Sequence, residues 1–277
     1  MVRNGGSRRA SYGQNRGARC LVCRRGVRGI RGPVESAGRA SLPALAERAR
    51  RSALAGCGLR HRSTATILAL ADPAEVIGVD TSEGFLASAR ARVADARAVF
   101  VSGDAQSLPM PDGCIDAVVS GLALNFVPDP SRAAAEFARV AVPGAVIAAY
   151  VWDYAEGMAM MRHFWDAATV LDSEAAELDE GRRFPLCRPD PLADLWAAAG
   201  LDLVMVQAVE VATVFADFDD YWMPFLGGQG PAPGYVASLT DDHRRVLCAE
   251  LHRRLPRSKD GTIPLTARAW AVRGTPR

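Results

Sequence analysis

An acid set directly after a short apolar strand can grip the polar part of a small molecule. Residues 76–79 (VIGV) form such a strand and run into Asp80. In α/β sheets ligands gather beyond the carboxyl ends of the strands, so a carboxylate here can accept hydrogen bonds from both hydroxyls of a ribose. Asp80 also reads as an ordinary turn acid ahead of a helix. A second acid follows the next strand, in Gly103-Asp104-Ala105-Gln106-Ser107-Leu108-Pro109. An Asp just past a strand can accept from an adenine exocyclic amine, while the next backbone N–H reads a ring nitrogen. The third segment is an apolar strand, residues 114–120 (CIDAVVS), entering Gly121-Leu122-Ala123. Small residues at a strand end let a ligand approach the backbone.

Alternating strands and helices must position these groups. Residues 64–71 read as a helix, 76–79 as a strand, and 82–94 as a helix capped by Ser82, with Phe85, Leu86, Ala89 and Val93 on one face. A strand at 98–101, a loop at 103–113 and a buried strand at 115–120 follow. Next come a helix at 131–140 capped by Ser131, and a Pro-Gly turn leading into a strand that ends at Val151. This alternation predicts a parallel, doubly wound α/β sheet. Beyond it, helices are expected at 158–171, 191–199, 218–226 and 241–255, with a loop at 227–233. Late strands at 201–214 and 265–272 suggest a hairpin-like antiparallel edge.

The chain has 277 residues, 49% of them apolar and 23% charged, which fits a soluble globular protein. No stretch approaches the ~18 consecutive apolar residues of a membrane helix. Six irregularly spaced cysteines make no disulfide scaffold, so a reducing, cytoplasmic setting is expected. The overall charge of +2 hides a strong asymmetry. Residues 1–62 carry 15 Arg, no Lys and only Glu35 and Glu47, a net of +13 against −11 for the rest. Ten glycines and little apolar periodicity make this segment read as irregular or disordered. Its Cys20, Cys23, Cys57 and His61 formally make a zinc set. Out-of-frame reading of GC-rich DNA, developed below, accounts for the same composition without a metal, and none is expected.

In this order and spacing, Asp80, GDAQSLP and the segment from Cys114 through Val127-Pro128-Asp129 resemble the class I S-adenosylmethionine-dependent methyltransferases, small-molecule type. The resemblance spans residues 64–151 and is specific as a set rather than motif by motif. It implies a Rossmann-like doubly wound sheet with a reversed last strand, S-adenosylmethionine as cofactor and a small-molecule methyl acceptor. It further implies Asp80 with Thr81 at the ribose, Asp104 and Ala105 at adenine, and Ser120, Gly121 and Leu122 lining the cofactor cleft. Residues 64–277 would form the methyltransferase domain, with a helical cap on the acceptor side at about 154–200 and 215–262.

The family's glycine loop, of the form DVGCGTGA, should precede the first of these helices. The chain instead offers Gly56-Cys57-Gly58-Leu59-Arg60-His61-Arg62-Ser63. Those eight residues can be encoded GGA TGT GGG CTG CGG CAC CGG AGC, which read one base later gives DVGCGTGA. The same offset turns residues 53–55 into RWL and residues 29–38 into AYVGRWSRLV, which resembles the helix before the family's first strand. Residues from about 29 to 63 therefore read as a frameshifted stretch of a methyltransferase gene, with the frame restored near Thr64.

No catalytic residue is assigned. Asp153 and His163 are the candidates for a base on the acceptor side, with Tyr150, Trp152, Tyr221 and Trp222 as candidate walls. Asn125 stands where many family members carry His. Two other readings stay open: an NAD(P)-dependent oxidoreductase using Asp80 on the ribose, and a non-enzymatic protein binding nucleic acid through its basic arm. The oxidoreductase reading lacks a Tyr-x-x-x-Lys pair, Lys259 being the only lysine. Nucleic acid and membrane are not expected as partners, and the sequence is silent on oligomeric state.

Overall fold

A computed structural model of the chain describes residues 19–22, 54–57, 61–227 and 230–277. Eight strands form one sheet in the order β4-β3-β1-β2-β5-β6-β8-β7. They are β1 (Arg19–Val22), β2 (Leu54–Cys57), β3 (Val76–Asp80), β4 (Ala98–Ser102), β5 (Ile115–Gly121), β6 (Ala141–Trp152), β7 (Leu201–Phe215) and β8 (Ile263–Pro276). β2 pairs parallel with β5, β5 with β6, and β3 with β4. β1 lies antiparallel between β2 and β3. β8 is antiparallel to both β6 and β7, so the last strand of the chain is the reversed one and β7 forms the edge. Leu54–Cys57 thus fills the central place that the sequence left without a clear strand.

β5 shows why the sheet is doubly wound. Ile115 and Val118 join one core, with β6 residues Ile147 and Ala149; Ala117 and Val119 join another, with Ala148 of β6. A strand buried on both faces loses the polar alternation of a half-exposed one. On one face sit α1 (His61–Ala71) and α2 (Glu83–Arg92), through Ile67, Leu68, Leu86 and Ala89. On the other sits α3 (Pro130–Val140), through Phe137 and Val140.

Local chemistry revises several expected boundaries. Asp129, not Ser131, caps α3: its carboxylate accepts from the Arg132 N–H at 3.0 Å, and Pro130 supplies a first residue that needs no donor. Ser82 occupies the cap position of α2 but makes no side-chain cap bond; its N–H donates to Asp80 instead. Phe85, expected on the buried face of α2, is exposed. The Pro-Gly pair at 143–144 interrupts the pairing register of β6 without ending the strand. Part of the expected loop at 227–233 is helical from Pro231, and residues 228–229 lie outside the described residues.

After β6 come α4 (Ala159–Leu171), the turn α5 (Glu180–Arg183), α6 (Pro189–Ala198), α7 (Phe218–Trp222), α8 (Pro231–Ser238) and α9 (Asp241–Arg254). α6 belongs to the sheet core: Trp196 is fully buried and its indole N–H donates to the Ile147 carbonyl at 3.2 Å. α4, α7, α8 and α9 build a separate aromatic core around Phe164, Trp165, Tyr221, Phe225 and Tyr235, closed below by Ile263 and Leu265 of β8. Among the described residues no helix is long and apolar enough to cross a membrane.

Trp196→Ala removes a buried ring together with its hydrogen bond to the Ile147 carbonyl, so a loss of about 3–5 kcal/mol is expected. Urea unfolding checks this against Leu203→Ala, a residue 78% exposed on β7, where the change should stay within about 0.5 kcal/mol.

Candidate functional site

The carboxyl ends of β2 to β6 fall along one edge of the sheet, and the residues singled out in the sequence gather there. Asp80 is the last residue of β3 and only 7% exposed. Its carboxylate accepts from the Ser82 N–H at 2.8 Å, and its carbonyl accepts from the Gly103 N–H at 3.2 Å, tying the ends of β3 and β4 together. Thr81 follows, exposed in the turn.

Beyond β4, Asp104 takes the backbone N–H of Gln106 at 2.9 Å and its side-chain amide at 3.0 and 3.1 Å. Ala105 is fully buried beside it. The Gln106 side-chain oxygen Oε1 in turn accepts from the Asp129 N–H at 3.0 Å, linking this loop to the cap of α3. Glu136 accepts from the Leu108 N–H at 2.7 Å, and Arg139 donates to the carbonyls of Leu108 and Met110. The Arg139 guanidinium holds the Glu136 carboxyl below its usual range by hydrogen-bonding its charged form. Sequence reading missed this bracket. Its signal is the Glu-x-x-Arg spacing on α3, which alone reads as a surface ion pair.

At the end of β5, Ser120 is fully buried. Leu122 adopts φ +56°, a conformation that costs a non-glycine residue about 1–3 kcal/mol, and its N–H is anchored on the Tyr150 carbonyl at 2.8 Å. Among the described residues three buried side-chain oxygens here lack a hydrogen-bond partner: Ser120 Oγ, Asn125 Oδ1 and Thr64 Oγ1 in the first turn of α1. Thr64 went unnoticed in the sequence, having no motif to mark it. The Tyr150 hydroxyl bonds the side chain of Ser63, joining β6 to α1, and burial pushes the phenol above its usual range. β2 ends at Cys57 and α1 begins at His61. The loop at 58–60 lies outside the described residues, as do Cys23 and the side chains of Cys20, Cys57 and His61, so the zinc set is not among them.

Of the candidate base and wall residues, Tyr150 and Trp152 lie at the end of β6 on this edge, whereas His163, Tyr221 and Trp222 sit on the helices beyond it. Asp153 is 2% exposed and committed to Arg268, whose Nε and Nη2 both donate to Oδ2 at 2.7 Å, while Oδ1 accepts from the Glu156 N–H. It acts as a structural anion. His163 lies on α4, where burial lowers its pKa and Arg254 adds to that while Asp166 opposes it. Tyr221 and Trp222 belong to the aromatic core of the helical region, the Tyr221 hydroxyl donating to the Met160 carbonyl at 2.9 Å. Burial pushes that phenol far up. Trp152 is half-buried at the end of β6.

Residues 54–149, from β2 through most of β6, match the family model described as a methyltransferase domain. A demethylmenaquinone methyltransferase of Shouchella clausii is 38% identical over 94 residues, 33% of this chain and 40% of the relative. A malonyl-[acyl-carrier protein] O-methyltransferase of Halorhodospira halophila is 27% identical over 213 residues, 73% of this chain and 68% of that protein. The first of these matches thus spans well under two thirds of the relative's length. Among solved structures, a Bacillus halodurans protein assigned as a methyltransferase superposes with TM-score 0.51 at 13% identity, over 79% of this chain and 89% of that one, a likeness of fold. The family match over the central strands identifies residues 54–149 as a methyltransferase domain, set in a parallel sheet closed by a reversed last strand.

Proposed function

We propose that the protein transfers a methyl group from S-adenosylmethionine to a small-molecule acceptor, binding the cofactor along the carboxyl edge of the parallel strands. The observation that carries this reading is the gathering of Asp80, Asp104-Ala105 and Ser120–Leu122 on that one edge. The residues present fit the cofactor: among the described residues, buried Ser120, Asn125 and Thr64 oxygens stand there without partners, and a polar ligand would satisfy them. The sulfonium of bound S-adenosylmethionine supplies a methyl group already activated towards a nucleophile.

The chain's own part is to bind, orient and exclude water. Asp80 with Thr81 would hold the ribose hydroxyls. The Asp104 carboxylate and the Ala105 N–H would hold adenine, both kept in register by Gln106 and by the Glu136–Arg139 bracket. Ser120, Gly121 and Leu122 would wall the cleft, the strained Leu122 turning the chain away from the ligand. Residues 64–277 act as the methyltransferase domain, with the helices at about 154–200 and 215–262 covering the acceptor side. Asp153, spent on Arg268, is left out of any proton transfer.

The encoded Arg60 and Arg62 would crowd a site that the family builds for glycine, so the chain as encoded should hold the cofactor weakly. Calorimetric titration with S-adenosylhomocysteine tests both statements. A gene restored to encode DVGCGTGA should give a chain that binds at least about tenfold more tightly, the loop amides and helix N-terminus being regained. Equal binding by the two chains would overturn the frame reading, and no binding by either would overturn the cofactor reading.

In the restored chain Asp80→Asn should weaken binding about 10- to 100-fold, since hydrogen bonds to a charged group contribute ~1.5–3 kcal/mol. Unchanged affinity would remove Asp80 from the site.

A further inference from the structure

Away from the strand edge, a cavity of about 390 Å³ opens between α4 and the segment from Asp179 to Arg188. Its volume is that of a small-molecule pocket, several times what a bare inorganic anion fills. Three arginines line it, Arg162, Arg182 and Arg188, against two acids, Asp166 and Asp179. Asp179 is already used. It takes both terminal nitrogens of Arg162 and accepts from the Gly181 N–H at 2.8 Å, which fixes the turn α5 over the cavity. Arg188 Nη2 donates to the Gly181 carbonyl at 3.0 Å. Among the described residues neither Arg182 nor Arg188 has a carboxylate partner, and Asp166 forms no ion pair, so the lining keeps an excess positive charge. Trp165, Val170, Ala155, Thr169 and Gly181 complete a wall that presents more polar than apolar surface.

The same turn connects the cavity with the strand edge. A Cβ at Gly181 would stand 2.6 Å from the Tyr154 carbonyl oxygen, so only glycine lets α5 rest on the chain just beyond β6. Three residues later Phe184 meets Phe126, which follows β5, at 5.2 Å between ring centres, and Tyr154 at 5.9 Å. Ala155, next in the chain to Tyr154, and Gly181 both line the cavity.

We infer that this cavity is a binding subsite for a small organic anion, a carboxylate or a phosphate ester, held by Arg182 and Arg188. As the remote end of the methyl acceptor, that anion deepens the methyltransferase reading and rests on it. Arginine is suited to the task because its planar fork meets either acid group with two hydrogen bonds. Arg162 is committed to Asp179 and acts as a positioning residue.

Calorimetric titration of the full chain with hexanoate and with hexyl phosphate tests the inference, and the stronger of the two names the acid group. Arg182→Gln/Arg188→Gln should weaken binding at least about tenfold, while Arg183→Gln, a neighbouring arginine that does not line the cavity, should leave it unchanged. No binding of either probe, or equal losses in the Arg183 variant, would overturn the subsite. A parallel titration with S-adenosylhomocysteine separates the two proposals. If the probes bind and the cofactor product does not, even to the frame-restored chain, the methyltransferase reading fails and the anion site stands by itself. If the cofactor product binds and the probes do not, the anion site alone fails.

Discussion

Arg268 reaches from the middle of β8 into the turn that follows β6, and there its guanidinium closes on the buried carboxylate of Asp153. Two backbone bonds flank the ion pair, Asp153 N–H to the Arg268 carbonyl and Arg268 N–H to the Gly157 carbonyl. A Cβ at Gly157 would come within 2.4 Å of Arg268, so glycine is required for the approach. Arg268 also lies 5.0 Å over the Trp270 ring and near Glu156 and Glu210. The reversed strand thereby fixes residues 153–158, and these fix the start of α4 and everything built on it. A buried ion pair adds little net stability against an apolar alternative, but breaking it leaves a bare charge in a dry setting. It sets geometry more than it adds stability.

The cofactor edge is held differently. No single contact orders it; a relay of side chain to backbone bonds runs from Asp104 through Gln106 to Asp129, and from Leu108 through Glu136 and Arg139 to Met110. Such relays leave the loop after β4 little freedom to drift from α3. The side chains of Asp104 and Gln106 are occupied in holding the loop in place. Functional loops on rigid scaffolds work in this way, the precision coming from the elements beneath them.

The strands of the central sheet from residue 76 on were largely legible because buried parallel strands are short apolar runs ended by acids and small residues, as at 76–80 and 115–121, whereas the strands at 19–22 and 54–57 were not. The candidate cofactor residues could be singled out for the same reason, lying at or just past the ends of such runs. Boundaries went wrong where two residues compete for one cap. Asp129 and Ser131 both suit the start of α3, and Pro130 settles the contest only once its fixed φ is placed in the helix. The helix from Pro231 was hidden by glycines and prolines that locally read as a loop, yet it buries Ala232, Tyr235 and Val236 in the aromatic core.

By itself the sequence determined the alternation of strand and helix, the acids at the strand ends and the split of charge between the first 62 residues and the rest, all of which are local properties of the chain. Only the tertiary structure decided that Asp153 is an anchor rather than a base, because its partner lies 115 residues away. It also decided that Tyr221 and Trp222 fill a core instead of walling a pocket, and that Arg182 and Arg188 share one cavity. Those outcomes depend on which distant surfaces exclude water from one another, and spacing along a chain carries no record of that.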